Sequence, residues 1–291
     1  MKVAIVTDSN SGITPALAKE MGITVIPMPF LINGEEYFEE VNLTQSEFYN
    51  LLAQDADVST SQPNIYSILD IWDELLKTHD EIVHIPMSSG LSASCDTATN
   101  FAKEYNGKVQ VVNNKRISIT QKESVKDALV LAKQGKSAKE IKDYLEETSM
   151  QASIYIMVNT LKYLKKGGRI TPAAAVIGSM LNIKPVLQIQ GAKLDKFCQV
   201  MSIPQAKKRM IDQIRKDITT RFSNQLKNGT LRVMMAHTNS EQKCLAFKEE
   251  AEAALADLGI KVSYIDPLSL SVSCHIGDGS IALSCCEYVK D

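Results

Sequence analysis

Four stretches of this 291-residue sequence carry polar or glycine residues that neither a routine core nor a routine surface requires. Ser59-Thr60-Ser61-Gln62-Pro63 runs up to a helical pattern and offers several hydroxyls where a helix N-cap uses only one. Met87-Ser88-Ser89-Gly90-Leu91-Ser92-Ala93-Ser94 follows Ile82-Val83-His84-Ile85, a central-strand pattern. It stands where open α/β sheets hold ligands, so backbone N–H groups and hydroxyls are expected to converge there on an anion. Leu164-Lys165-Lys166-Gly167-Gly168-Arg169-Ile170-Thr171 reads either as a helix C-cap with paired glycines or as a loop presenting Arg169 to an anion. Cys274-His275-Ile276-Gly277-Asp278-Gly279-Ser280 reads as a glycine-spaced turn. Its glycines permit close approach of a ligand, or serve a tight reversal between strands. Asp8 and Ser9 join these stretches by position alone, at the end of the first strand.

Gly90-Leu91-Ser92-Ala93-Ser94 resembles a nucleophile elbow, which would make Ser92 a nucleophile with His275 as its base. Ser94 replaces the elbow's last glycine, the residue that lets such a turn be sharp, and no third triad member stands out. A serine esterase or acyltransferase is therefore the alternative reading. No Gly-x-x-x-x-Gly-Lys-Ser/Thr loop and no Gly-x-Gly-x-x-Gly fingerprint follows a strand pattern, so nucleotide binding is not expected. Four scattered histidines and six cysteines without a Cys-x-x-Cys pair give no support for a metal site or a disulfide framework.

The elements around these stretches alternate. Val3 to Thr7, Thr24 to Pro27, Glu81 to Pro86 and Val109 to Val112 read as strands. Between them Thr14-Pro15, the capping box Thr44-Gln45-Ser46-Glu47, and Asn64 open helices, and another runs from Ser94 to Glu104. Asn33-Gly34 marks a tight turn. A helix around Val125 to Lys133 and a second capping box at Ser137-Ala138-Lys139-Glu140 complete a parallel-sheet unit over 1–150. The unit 151–291 has a different order. Ile183 to Gln190 and Lys193 to Met201 form an antiparallel hairpin, followed by helix 203–226, strand 231–236, helix 241–258 and strand 260–265. Pro172 to Leu181 is a helix of small residues, which admits another helix or a thin apolar ligand.

The chain has 44% hydrophobic and 23% charged residues, an ordinary globular balance at net charge −2. Residues 1–60 are net −7 and 151–220 net +9, but the basic residues mix with apolar ones at helical spacing and few aromatics accompany them. Solvated helix faces, not nucleic acid, are expected. The apolar run after Met1 is too short for a signal segment or a membrane span, which together with the cysteine usage predicts a cytoplasmic protein with reduced thiols and no membrane insertion.

Taken in order, Thr7-Asp8-Ser9, Thr60-Ser61-Gln62-Pro63, Ser88-Ser89-Gly90-Leu91-Ser92, Gly167-Gly168-Arg169-Ile170, Ile183-Lys184-Pro185 and His275-Ile276-Gly277-Asp278-Gly279 resemble the signature of the DegV family across nearly the whole chain. The resemblance implies an α/β protein of two domains: an amino-terminal parallel-sheet domain and a carboxy-terminal domain with a mixed sheet. One long-chain fatty acid would lie between them, without a cofactor and without enzymatic activity. It further implies a separate fatty acid kinase as partner, making an acyl phosphate for phospholipid synthesis. By the same resemblance Thr60, Ser92 and His275 serve the carboxyl group, Arg169 assists phosphoryl transfer or the partner, and Ser61, Ser88, Ser89 and Gly277 are additional pocket candidates. The family usually has glycine, threonine and an aromatic after the Leu-Ser pair, where this chain has Ala93, Ser94 and Cys95, and Asn113-Asn114 lacks the family's usual aspartate.

Overall fold

The computed structural model describes residues 2–171, 183–190 and 193–290. Its first strands are β1 (Val3–Asp8), β2 (Thr24–Ile26), β3 (Pro29–Ile32), β4 (Glu35–Phe38), β5 (Val58–Thr60), β6 (Glu81–Ile85) and β7 (Val109–Val111). β2-β1-β6-β7 form a parallel sheet, and β4-β3-β5 a small antiparallel one closed by the Asn33-Gly34 turn. Local signals operate as the sequence predicts. Thr14 caps Pro15–Met21, and both capping boxes form, at Thr44 with Glu47 and at Ser137 with Glu140. Asn64, and none of the hydroxyls of residues 59–61, caps the helix Ile65–Leu76, so those hydroxyls are left for another use.

The second set is β8 (Ala152–Met157), β9 (Lys184–Ile189), β10 (Asp195–Val200), β11 (Leu231–His237), β12 (Val262–Pro267) and β13 (Ile281–Glu287). They form one mixed sheet in the order β10-β9-β8-β13-β11-β12, in which only β11 and β12 pair in parallel. The hairpin of β9 and β10 is antiparallel, as expected. The expected helix 203–226 is two helices, Ile203–Thr219 and Ser223–Asn228, because Phe222 turns inward between them and is fully buried. The helix expected from Val125 begins at Ser118, and its first turns bury polar side chains where the periodicity gives no apolar stripe. Pro172 to Leu181 lies outside the described residues.

Cys274 and His275 are not in a strand-to-strand turn. They end a helix, Leu270–Ile276, with Gly277 at its C-cap. That helix comes from the second half of the chain but is tied to the first. Glu39 accepts from Leu270 N at 2.8 Å, Gln45 Nε2 donates to Leu268 O at 3.1 Å, and Tyr49 OH and Ser273 Oγ lie 2.8 Å apart. An apolar cluster also bridges the halves, joining Met28, Met87, Leu91, Ile117 and Ile119 to Ile154, Ile156, Leu187, Ala236 and Ala282 of the mixed sheet.

Candidate functional site

Thr60 ends β5, where pairing with Phe30 of β3 fixes its direction. Its hydroxyl Oγ1 lies 2.9 Å from His275 Nε2. The other ring nitrogen, Nδ1, is buried and has no hydrogen-bond partner among the described residues. A Cβ on Gly167 would collide with Nδ1 and stand 2.8 Å from Cε1, so that glycine makes room for the ring. A buried N–H without an acceptor is rarer and more costly than a bare acceptor. On that ground we assign the proton to Nε2, which donates to Thr60 Oγ1 and leaves the Thr60 proton to donate elsewhere. Part of the ring surface faces the cavity described below, yet enough protein surrounds it that burial pushes its pKa down to about 4, the Arg169 guanidinium adding to the effect. The imidazole is neutral at pH 7.

Ser92 lies in the loop between β6 and the helix Ser94–Ala102. Its Oγ accepts from Ser94 N at 3.2 Å, which leaves its proton free as well. The convergence of backbone N–H groups expected in this loop is not found. The amides of Ser88, Ser89, Gly90, Leu91 and Ser92 go to Arg116 O, Asn113 Oδ1, Ser88 Oγ and, for the last two, Ser88 O. The loop therefore offers a hydroxyl rather than an amide nest. Arg169 follows the helix Lys162–Gly167, whose C-cap Gly168 takes the left-handed conformation (φ 66°) that glycine permits. Its Nε donates to Leu91 O at 3.3 Å and its Nη1 to Gly167 O at 2.5 Å, so it straddles the Ser92 loop and the His275 contact.

Thr60, Ser61, Ser92, Arg169 and His275 line one cavity of about 180 Å3. Behind these polar groups its wall is Met28, Met87, Leu91, Ile117, Leu194, Val272 and Ile276. A smaller space of about 50 Å3 shares Leu91, Ile117, Leu194, Val272 and Ile276, and continues between Ile119, Ile154, Ile156, Ile189, Ala236 and Ala282. The two spaces together are amphipathic: the first is lined by hydroxyls, an imidazole and the Arg169 guanidinium besides aliphatic side chains, and the second almost wholly by aliphatic side chains. Ser88, Ser89 and Gly277 are not brought to it. Ser88 is buried with its Oγ accepting from Gly90 N, Ser89 Oγ accepts from Asn113 Nδ2 at 2.8 Å, and a Cβ on Gly277 would press on the Tyr163 ring at 2.8 Å. The close approach that Gly277 allows is therefore to a protein side chain.

Gln62, within the first stretch singled out in the sequence, also lines the cavity, as do Asn10 and Ser271, which carry no local signal in the sequence. Asp8 is buried beside them, accepting from Met87 N, Asn10 N and Gln121 Nε2 at 2.8, 3.0 and 3.2 Å. Burial, outweighing these donors, raises its pKa to about 6. It is a strut between β1 and the Ser92 loop, not a cavity wall. Among the described residues no cluster of His, Cys, Asp and Glu could hold a metal ion, and no helix is long and apolar enough to cross a membrane.

Comparison with known proteins agrees over the full length. The chain is 28% identical to Protein DegV of Bacillus subtilis over 290 residues, covering 98% of this chain and 99% of that one. A DegV domain-containing protein of Staphylococcus aureus is 29% identical over 283 residues, covering 97% and 98%. The crystal structure of DegV, a fatty acid binding protein from Bacillus subtilis, superposes with a TM-score of 0.84 at 26% identity, covering 99% of each chain. A stearic acid-binding protein of Eubacterium ventriosum shares the fold at a TM-score of 0.86 and 20% identity, covering 98% of each chain. The family model described as "Uncharacterised protein, DegV family" matches residues 2–287, and this chain, with its amino-terminal parallel sheet and carboxy-terminal mixed sheet, belongs to the DegV family.

Proposed function

We propose that this protein is a cytoplasmic, non-enzymatic carrier that binds one long-chain fatty acid at the seam between residues 1–150 and 151–291. It would present the carboxyl group to a separate fatty acid kinase for acyl phosphate formation, in support of phospholipid synthesis. The observation that carries the reading is the polarity of the cavity: Thr60 and Ser92 each have a hydroxyl proton to give to it, and it adjoins a space walled almost wholly by aliphatic side chains. The fatty acid binding of the Bacillus subtilis relative supports the same ligand class.

The energetics fit. Removing about fourteen methylenes from water at roughly 0.8 kcal/mol each supplies about 11 kcal/mol before association costs. The carboxylate is the difficult end, since an unpaired buried charge would cost several kcal/mol. Two hydroxyl donors offset much of that cost. Being neutral and separate, they leave an oxygen accessible to a kinase instead of locking both in a bidentate ion pair. Arg169, whose guanidinium donates to Leu91 O and Gly167 O, would assist the partner or the phosphoryl transfer.

The esterase alternative is the weaker reading. His275 Nε2 is engaged by Thr60, and Ser92 is not among the residues of positive φ, unlike the strained serine of a nucleophile elbow. Denaturing mass spectrometry of an organic extract of the purified protein tests the carrier reading. We expect a fatty acid near one mole per mole of protein; an empty protein that also fails to take up added palmitate would end it.

A further inference from the structure

Two polar side chains of the cavity wall stand away from its mouth. Ser271 lies four residues before His275 in the helix Leu270–Ile276, on the same face and about 6 Å along the axis. Its hydroxyl donates to Asn10 Oδ1, which also accepts from Ser269 Oγ at 3.5 Å, and both Asn10 and Ser271 line the cavity. These bonds fix the amide. With Oδ1 turned to the helix, Nδ2 points away from it, and its one acceptor among the described residues is Met87 Sδ at 2.9 Å. An amide nitrogen has two hydrogens, and a thioether is a weak acceptor. Asn10 is only 2% exposed, so it brings an unspent N–H to a cavity whose wall also holds Met28, Leu91 and Ile117.

A plain hydrocarbon passing this point strips water from the N–H and returns nothing, which is the cost of a buried unsatisfied donor. A hydroxyl on the chain would accept from Asn10 Nδ2 and donate to Ser271 Oγ. Only a group that both gives and takes a hydrogen bond matches the pair. We propose that Asn10 and Ser271 form a second polar station, which selects fatty acids carrying a hydroxyl within a few carbons of the carboxyl group, β-hydroxy acids being the type. This rests on the fatty acid reading above and adds the substrate class to it.

Calorimetric titration of delipidated protein with palmitate, β-hydroxypalmitate and ω-hydroxypalmitate tests the proposal. The two hydroxy acids are isomers, so they differ only in where the hydroxyl falls. The wild type is expected to bind the β isomer about tenfold or more tightly than the ω isomer. Asn10→Leu should erase that preference while improving palmitate relative to the β-hydroxy acid. Should Asn10→Leu fail to fold by circular dichroism, Ser271→Ala replaces it, with the same loss of preference expected. Equal affinity of the wild type for the two isomers, with palmitate still binding, overturns the second station alone. Failure of all three acids to bind overturns the fatty acid reading and the station together.

Discussion

Thr60 Oγ1 and His275 Nε2 lie 2.9 Å apart although 215 residues separate them in the chain. One belongs to a strand beside the parallel sheet, the other to a helix leading into the mixed sheet, so this bond ties the two halves at the point where a carboxyl group would sit. Its direction matters. A neutral imidazole donating to Thr60 leaves the threonine proton free, so on the proposed function His275 would act on the carboxylate through Thr60.

Ser92→Ala should therefore weaken fatty acid binding by about 1–3 kcal/mol, the loss of a hydrogen bond to a charged group, and His275→Ala by about 0.5–1.5 kcal/mol, since it removes only the donor that orients the Thr60 hydroxyl. Thr60→Val, which removes the donor itself, should cost at least as much as His275→Ala, and the double variant should cost little more than Thr60→Val alone, because His275 acts only through the Thr60 hydroxyl. Titration calorimetry of these four variants decides this. Additive losses would separate the roles of the two residues.

Gly167→Ala acts on the same bond from behind. Its Cβ would press on the His275 ring, with no positive φ to complicate the comparison. We expect a stability loss of roughly 1–3 kcal/mol from overpacking, with a parallel loss of fatty acid affinity. Lys165→Ala, an exposed change two residues earlier, should show neither in the same denaturation and binding series.

The pH dependence of stability follows from the lowered His275 pKa. The folded ring is neutral down to about pH 4, while an unfolded histidine takes its proton near 6.5, so between those values the unfolded state binds more protons. The stability His275 contributes is fully present above about 6.5 and is lost as pH falls towards 4. The difference between wild type and His275→Gln in urea denaturation should shrink over that window, with a slope of at most about 1.4 kcal/mol per pH unit. A difference that stays flat with pH would mean the ring titrates alike in both states.

Arg169→Ala should spare fatty acid binding yet lower acyl phosphate formation with a cognate kinase, because its guanidinium is bound to backbone carbonyls at the rim, not to Thr60 or Ser92. A reconstituted phosphorylation assay with the loaded variant checks this. Unchanged turnover would remove the residue from the transfer step.

Much of the first half was legible from local chemistry. Thr44 and Ser137 with their glutamates, Thr14 before Pro15, and Asn33-Gly34 fix helix starts and a turn through contacts only a few residues apart, so sequence patterns reach them. What was missed is held from a distance. The helix Leu270–Ile276 contains three serines or cysteines of weak helix propensity and donates its N-terminal amide to Glu39, 231 residues away, so it reads as a turn. Asn10 looks like a turn residue because Ser269 and Ser271, which orient it, are equally remote. The central strands β8 and β13 are buried on both faces and show no alternation to mark them. The polar mouth was readable because Thr60, Ser92, Arg169 and His275 are out of place in their local settings; Ser88 and Ser89 looked equally out of place, but they hold the loop together.

The most direct measurement is a crystal structure of the protein loaded with palmitate. The expected result is one ligand whose carboxyl oxygens lie within hydrogen-bonding distance of both Thr60 Oγ1 and Ser92 Oγ, with its tail running past Ile117 towards Ile156 and Ala282. A head group found away from those two hydroxyls, or a tail outside the seam of the two sheets, would contradict the account.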